Sequence, residues 1–385
     1  VFRSASLIVN LAVMLWLLLC LLTAFKDVSD SYSLLSLFSF TNLFAVAANI
    51  FFVFFWLCTR KKWYAVFSAI VLLISTPIVK ASFGWNIFGN SVVENDDVSL
   101  KIMTWNVHLF DLGEWTTNKQ AKSKIVEFIK EQDPDILCLQ EYYFDQANPN
   151  EPYADILRQL GYGYYEFSKE TVLRKRAMNM EAKQHEVIEV GHAVFSKFPL
   201  KNAVRYALDT EKDYYHLLGV DVALKPDLSM RLFTTHLASV SLKGNEVDFA
   251  EVKTRKLPTE VDAETKNILL KIVKASSLRA MQANAIDSIV KRQDLPLVIC
   301  GDFNDMPGAY AYHTIKGNLK DAFVSRGFGL GRTYRKIFPT LRIDYILYDE
   351  SILSSKAYST PNVNLSDHNP VIATFSVKNK KEKNN

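Results

Sequence analysis

The chemistry-bearing residues sit where short apolar runs end. Leu297-Val298-Ile299-Cys300 reads as a buried strand and runs into Gly301-Asp302-Phe303-Asn304-Asp305, with Pro307-Gly308 just beyond. Taken alone this is an ordinary strand-to-turn exit, because Gly, Asp and Asn are turn formers. The pattern recurs. Ile102-Met103-Thr104-Trp105 runs into Asn106, Ile136-Leu137-Cys138-Leu139-Gln140 into Glu141, and Leu232-Phe233-Thr234-Thr235 into His236. Ile343-Asp344-Tyr345-Ile346-Leu347 carries its Asp inside the strand, and Ser366-Asp367-His368-Asn369-Pro370 precedes a last strand. Carboxylate, amide and imidazole groups delivered to strand ends are the parts of a metal-assisted hydrolytic site.

Each residue has a plain role and a chemical one. Glu141 is a surface Glu or a hard oxygen ligand suited to Mg²⁺, with Asn106 in support. Asp302 and Asn304 are two apart and are expected on one side of the strand end. Asp302 can orient or deprotonate a water, and Asn304 can hold a phosphate oxygen or the nucleophile. His236 shares a strand face with Thr234 and Leu232, where a lone His is commonly a structural hydrogen-bonder. His368, beside Asp367 and with Asp344 available to orient its ring, can serve as acid, base or transition-state donor.

The elements around these residues divide the chain unevenly. Of 385 residues 49% are hydrophobic, and the formal net charge is +4. Residues 4–25, 31–59 and 63–79 are uncharged, each long enough to cross about 30 Å of hydrocarbon as a helix. We expect three transmembrane helices. A signal peptide fits the first run poorly, since its apolar core is too long and two more runs follow. Arg60-Lys61-Lys62 between the second and third runs marks a cytoplasmic loop, and Arg3 agrees. Three crossings make this a multi-pass protein of the cytoplasmic membrane. They put the rest of the chain outside the cytoplasm, in the periplasm of a Gram-negative cell. Cys20 and Cys58 lie in the apolar runs, Cys138 and Cys300 in expected buried strands. No structural disulfide is expected, a Cys138–Cys300 pair staying open if their strands are neighbours.

The expected organisation is a membrane anchor over 1–85, a polar linker over 86–97, one domain over 98–377 and a disordered basic tail over 378–385. Within the domain, helices are expected near 118–132, 152–160 and 263–292, with a short one from about 308. Residues 169–188 and 240–262 read as polar excursions. Strands outnumber helices and do not alternate with them regularly, which points to an α/β domain of packed mixed sheets rather than a doubly wound parallel sheet.

Thr104-Trp105-Asn106-Val107, Leu139-Gln140-Glu141, Gly191-His192-Ala193-Val194-Phe195-Ser196-Lys197, Thr235-His236-Leu237, Gly301-Asp302-Phe303-Asn304, Arg342-Ile343-Asp344-Tyr345 and Ser366-Asp367-His368-Asn369-Pro370-Val371 occur in that order. The set resembles the endonuclease/exonuclease/phosphatase superfamily, whose members include deoxyribonucleases, abasic-site endonucleases, neutral sphingomyelinases and inositol polyphosphate 5-phosphatases. The resemblance spans 98–377 and leaves the apolar runs out. It implies a four-layer sandwich of two mixed β-sheets flanked by helices. It implies Mg²⁺ or Mn²⁺ held chiefly by Glu141, with Asn106 nearby and Asp367 in or near the metal site. Asp302 would activate water with help from Asn304. His236 and His368 would contact the scissile phosphate, Asp344 orienting His368. The chain departs from the abasic endonucleases in having His108 where they carry Asp. It departs from the inositol phosphatases in reading Leu341-Arg342-Ile343-Asp344-Tyr345 where they carry an aromatic-Cys-Asp-Arg run. No family DNA-binding loop is matched.

The leading expectation is a membrane-anchored, Mg²⁺-dependent phosphoesterase acting on phosphodiesters, or phosphomonoesters. A membrane-anchored nuclease for DNA or RNA is the alternative, and a catalytically inactive binding module the other. Residues 98–377 hold 35 Lys+Arg and 35 Asp+Glu. A duplex-DNA grip normally needs a basic face, for which Arg174-Lys175-Arg176 or Lys253–Lys256 are the candidates. Tethering raises the effective concentration of a membrane-borne substrate, so a lipid head group or small phosphodiester is preferred to nucleic acid. No protein partner is expected.

Overall fold

The computed structural model describes residues 2–87, 89, 98–112, 120–148, 156, 160–175, 186–208, 215–240, 263–336 and 341–378. Residues 90–97 of the expected linker, most of the expected helix near 152–160, nearly all of the 240–262 excursion, the Lys253–Lys256 patch and the tail beyond Lys378 lie outside them. The described residues group into two compact units, one of Val1–Gly84, Ala238–Asp287 and Asp305–Gly317, the other of Trp85–Leu237, Ser288–Asn304 and Asn318–Asn385.

The second unit contains two six-stranded mixed sheets flanked by helices. One sheet has the order β13-β14-β2-β3-β5-β4: β2 Val98–Asn106, β3 Ile136–Asp145, β4 Tyr164–Arg174, β5 Val187–Ser196, β13 Leu353–Ser359 and β14 Val371–Val377. The other has the order β10-β12-β9-β8-β7-β6: β6 Leu200–Ala207, β7 His216–Lys225, β8 Leu228–His236, β9 Leu297–Asp302, β10 Lys320–Asp321 and β12 Asp344–Tyr348. Two-residue strands β1 (Gly84–Trp85) and β11 (Phe328–Gly329) lie outside these sheets. Apolar residues alternate along the strands, and the inner faces meet in one core that includes Ile102, Cys138, Val194, Val220, Leu232, Cys300 and Ile346. The helix Ala121–Gln132 buries Ile125, Val126 and Ile129 against a second cluster with Trp105, Leu139 and Phe195. The expected excursion at 169–188 is shorter than the sequence suggests, since β4 continues to Arg174 and β5 resumes at Val187.

The N-terminal helices of the first unit are partly inside-out. Ile8, Leu15, Phe51, Phe54 and Leu73 are exposed, while Asn10, Asn49 and Ser68 are buried. Asn10 donates to Ser68 Oγ at 2.7 Å and accepts from Trp56 Nε1 at 2.8 Å. Polar groups satisfied inside an apolar exterior suit a bundle surrounded by hydrocarbon. Two helices, Ser4–Phe25 and Ser33–Leu57, are long and apolar enough to cross a membrane. The third expected span is not one helix: Lys62–Ile74 and Thr76–Ser82 meet at 66°, so a third crossing exists only if this bent pair acts as one. The cause is local. Pro77 stands at the start of the second piece and cannot donate back into the first. The long helix Ala263–Val290 belongs to the same unit as far as Asp287. Its buried Arg279 pairs with Asp305 at 3.0 Å and donates to Ala238 O at 2.9 Å.

Candidate active site

Strand register explains why the chemical residues converge. β8 and β9 run parallel with His236 opposite Asp302, and β12 runs antiparallel with Asp344 opposite Asp302. Three chemical residues therefore stand abreast at one end of that sheet. In the other sheet β2 and β3 are parallel, with Asn106 opposite Gln140, and Val371 pairs with Thr104. The Ser366–Pro370 segment thus arrives at the same strand end as Asn106 and Glu141.

Asn106 ties the two sheets together. Its amide nitrogen donates to Glu141 Oε1 at 3.0 Å and to Asp302 Oδ2 at 3.1 Å, while its carbonyl oxygen accepts from the His108 amide. Gln140, fully buried, donates to Thr104 Oγ1 and Thr234 Oγ1, both at 3.0 Å. His236 Nε2 lies 3.6 Å from Asp302 Oδ2 and 3.9 Å from Glu141 Oε1. His368 Nδ1 meets Asp344 Oδ2 at 2.9 Å, leaving Nε2 3.6 Å from Asp302 Oδ2. Thr333 Oγ1 accepts from the amides of Ile343 and Asp344, and Trp105 Nε1 donates to His368 O, so both partners of the pair are anchored.

These contacts set the protonation of the site. Burial alone would lower the pKa of His368, but the charges of Asp344 and Asp302 outweigh it and hold the imidazolium well above the ordinary range. His236 follows the same balance: burial pulls its pKa down, and Asp302, Glu141 and Glu170 raise it further than burial lowers it. Burial pushes Asp302 upward, opposed by His368. Asp367 goes the other way; burial would raise it, but His368, His108 and Lys336 together keep its carboxyl low.

Two residues take positions the strand pattern does not give. Asn304 lies beyond the end of β9 with φ +50°, and its side-chain amide donates to Leu237 O at 2.9 Å, so strand alternation does not align it with Asp302. Asp367 faces His108 Nδ1 at 3.8 Å and Lys336 Nζ at 3.4 Å. His108 opens a run of four left-handed residues, His108–Asp111, all with φ between +46° and +57°. Each non-glycine residue there costs about 1–2 kcal/mol, offset by burial of Leu109 and Phe110.

Glu170 is a residue that the sequence did not flag. It is the extra residue of a bulge between Lys169 and Thr171, and Glu141 lies in a second bulge between Leu139 and Tyr142. Both bulges flank β5 at Gly191, which pairs with Tyr142 on one side and Lys169 on the other. A bulge re-aims a side chain, and here it turns two carboxylates to the same edge. Glu170 lies 2.9 Å from His192 Nε2 and 3.9 Å from His236 Nδ1. Its only sequence signal is the glycine opposite it.

The donor chemistry suits a hard divalent cation. Glu141, Asp302, Glu170 and Asp344 surround two imidazoles, giving an excess of acidic groups and mostly oxygen donors. Ligand atoms of Asp302, Asp344 and His368 lie within 4.8 Å of one another, but His368 and Asp344 use theirs on each other. Glu141 is more open, its side chain 29% exposed.

The sequence profile of the Endonuclease/Exonuclease/phosphatase family matches residues 103–368, and that of a domain of unknown function matches residues 3–82. Nocturnin from Xenopus laevis is 27% identical over 244 residues, which is 58% of this chain and 53% of that protein. The chain thus spans about half the length of this curated relative. The solved catalytic domain of human Nocturnin with bound sulfate anion is 21% identical, covering 73% of this chain and 96% of that one at a TM-score of 0.51. At that identity the likeness is one of fold.

Proposed function

The chain belongs to the endonuclease/exonuclease/phosphatase family, and from that membership we propose that it is a membrane-anchored, divalent-metal-dependent phosphoesterase that cleaves a phosphodiester. The observation that carries the proposal is the Asn106 amide bridging Glu141 and Asp302, with His236 and His368 on either side of the same Asp302 oxygen. Glu141 would hold Mg²⁺ or Mn²⁺, with Asn106 fixing its carboxylate and Asp367 nearby. Bound there, the ion would supply charge stabilisation to a phosphoryl oxygen. Asp302 orients the attacking water and takes its proton. His236 and His368, whose pKa values their carboxylate neighbours raise, donate hydrogen bonds to the phosphate oxygens as negative charge builds. Asp344 fixes the ring of His368, and Asn304 assists at the phosphate.

The functional division proposed is an anchor over 1–85, a linker over 86–97 and the catalytic domain over 98–377, outside the cytoplasm. The inside-out polarity of the N-terminal helices supports membrane residence. It favours a lipid-linked or small phosphodiester over duplex DNA, as does the domain's zero formal charge. The test uses the full chain in detergent, assayed with Mg²⁺, Mn²⁺ and EDTA on a bis-aryl phosphodiester, phospholipids, RNA and plasmid DNA. Metal-dependent turnover of the small diester or a lipid is the expected result. Plasmid nicking without either would make the protein a membrane-anchored nuclease, and no turnover of anything would leave a binding module.

A further inference from the structure

The stretch Arg332–Lys336 is fastened to the segment that carries His368. The Arg335 amide donates to Asp367 O at 2.9 Å, the Asn369 amide donates to Thr333 O at 2.7 Å, and Tyr334 forms a β-bridge with His368. The Tyr334 ring lies 5.0 Å from the His368 ring, tilted by 62°. Backbone pairing on this scale fixes where the intervening side chains start, and it brings Arg335 and Lys336 against the Ser366–Asp367 stretch just before His368, with Arg332 alongside Arg335.

Those cations are under-neutralised. Arg335 Nη1 donates to Ser366 O at 3.0 Å, Arg332 Nε donates to Tyr334 O at 2.9 Å, and Arg332 Nη2 donates to Arg335 O. Among the described residues neither guanidinium makes an ion pair with a carboxylate. Burial and the neighbouring Arg332 charge lower the pKa of Arg335, with Asp367 opposing them. Lys336 Nζ, 47% exposed, reaches Asp367 Oδ2 at 3.4 Å, and His108 faces the other oxygen of the same carboxylate. Among the described residues, Asp367 is the carboxylate whose charge acts on both Arg335 and Lys336, and it also faces His108. Like charges held this close repel unless an anion lies among them. A guanidinium has five donors, and each of these two spends one or two on the main chain. The remainder match the oxygens of a phosphate.

We propose that Arg332, Arg335 and Lys336 form an anion subsite beside His368, which takes a second, non-reacting phosphate of the substrate. The substrate class is then a phosphoester carrying two phosphate groups, one cleaved at Asp302 and the other held at this rim. This rests on the phosphoesterase reading and narrows it. The geometry also gives the rim a separate measure from turnover, since binding needs no cleavage.

The test is calorimetric titration of the full chain in detergent, at fixed free Mg²⁺, with propyl phosphate and with propane-1,3-diyl bisphosphate. The bisphosphate is expected to bind at least about tenfold more tightly, the scale of one good charge-assisted contact. Arg335→Gln should reduce that ratio to near one. Lys336→Gln, at an exposed position that does not threaten folding, should reduce it by about threefold, and Arg335→Lys should keep part of it. Equal binding of the two ligands by the wild-type chain would overturn the proposal, as would a ratio unchanged in both Gln variants. Because the readout is binding, loss of all turnover with the binding ratio intact would sink the phosphoesterase reading, and the cleaved group with it, and leave the anion subsite standing. Two further arms distinguish the source of the second phosphate. One is cleavage of vesicles containing a lipid with both a phosphodiester and a phosphomonoester in its head group. The other is cleavage of a soluble nucleoside bisphosphate.

Discussion

At Asp344 one carboxylate contributes most, ahead of Asp302, to raising the pKa of His368. It is the largest of the charges that raise that pKa, and it touches the ring through Nδ1. Asp344→Asn should therefore lower the His368 pKa and move the alkaline limb of the pH–rate profile toward acid, measurable on any diester the protein cleaves. Asp302→Asn and His368→Ala should each lower turnover by at least about a hundredfold, the scale for a positioned acid–base group, and near-normal turnover in Asp302→Asn would remove the mechanism. Glu141→Gln should raise the metal concentration needed for half-maximal rate. The same shifts act on stability. A histidine whose folded pKa lies above 6.5 stabilises the fold below that pH and loses the contribution as pH rises through the raised value. Burial-raised Asp302 has the same sign at lower pH, its contribution fully present below 3.8 and lost as pH climbs from there through the raised value. Asp367, held low, contributes above 3.8 and loses it only as pH falls through its depressed value. The metal-free protein should thus melt at lower temperature as pH rises above 6.5, and Asp344→Asn should flatten that slope. A melting temperature that climbs across the interval would contradict the charge balance assigned to the two histidines.

Between residues and molecule lie the bulged strands, where most of the aiming is done. A Cβ on Gly191 would come 1.9 Å from Ser168 O and 2.9 Å from the Ser168 carbonyl carbon, both backbone atoms that cannot swing away. Gly191→Ala should displace β4 at the Glu170 bulge, costing on the order of 1–3 kcal/mol of stability and lowering turnover through a misplaced Glu170. A circular-dichroism melt and a rate on the same sample would check both, and an unchanged variant would show that the bulge tolerates β-carbon volume. This is also where legibility in the sequence ends. Asn106, Glu141, His236, Asp302, Asp344 and His368 could be picked out because apolar runs stop at or beside them, and parallel register then carries strand ends to one edge. Glu170 could not, because which residue of a strand is the extra one depends on the partner strand and not on its own neighbours. Asn304 was visible as a residue but not as a direction, since its left-handed φ breaks the two-residue alternation that sequence reasoning assumes. Hydropathy likewise found the apolar run at 63–79 but not its bend at Ser75–Pro77.

On the scale of the whole molecule, with the N-terminal helices anchoring the chain as proposed, that bend decides which side of the membrane the chemistry faces. Two crossings return the chain to the side where it began, and three carry it across. Arg60-Lys61-Lys62 follows the second apolar helix and leads into the bent pair, so in the proposed topology the positive-inside rule argues for a cytoplasmic loop in either case. If Lys62–Ser82 crosses despite its 66° bend, everything after it is outside; if it re-enters and returns, the catalytic residues stay with the positive loop. Crossing stays within reach if the bilayer thins. The 21 residues from Lys62 to Ser82 would reach about 30 Å as a straight helix, and the 66° bend cuts that to about 25 Å, a mismatch that local thinning absorbs at a fraction of a kcal/mol per Å. A reporter that works only outside the cytoplasm, fused after Val377, should therefore be active, and the same reporter fused after Lys62 should be silent. Pro77→Ala, which restores a donor at the break, should leave both signals in place or strengthen the first. Silence at both fusions, with a cytoplasmic reporter active at both, would make the bent pair a re-entrant element and put the phosphoesterase on the cytoplasmic face, where its substrate would have to be sought instead.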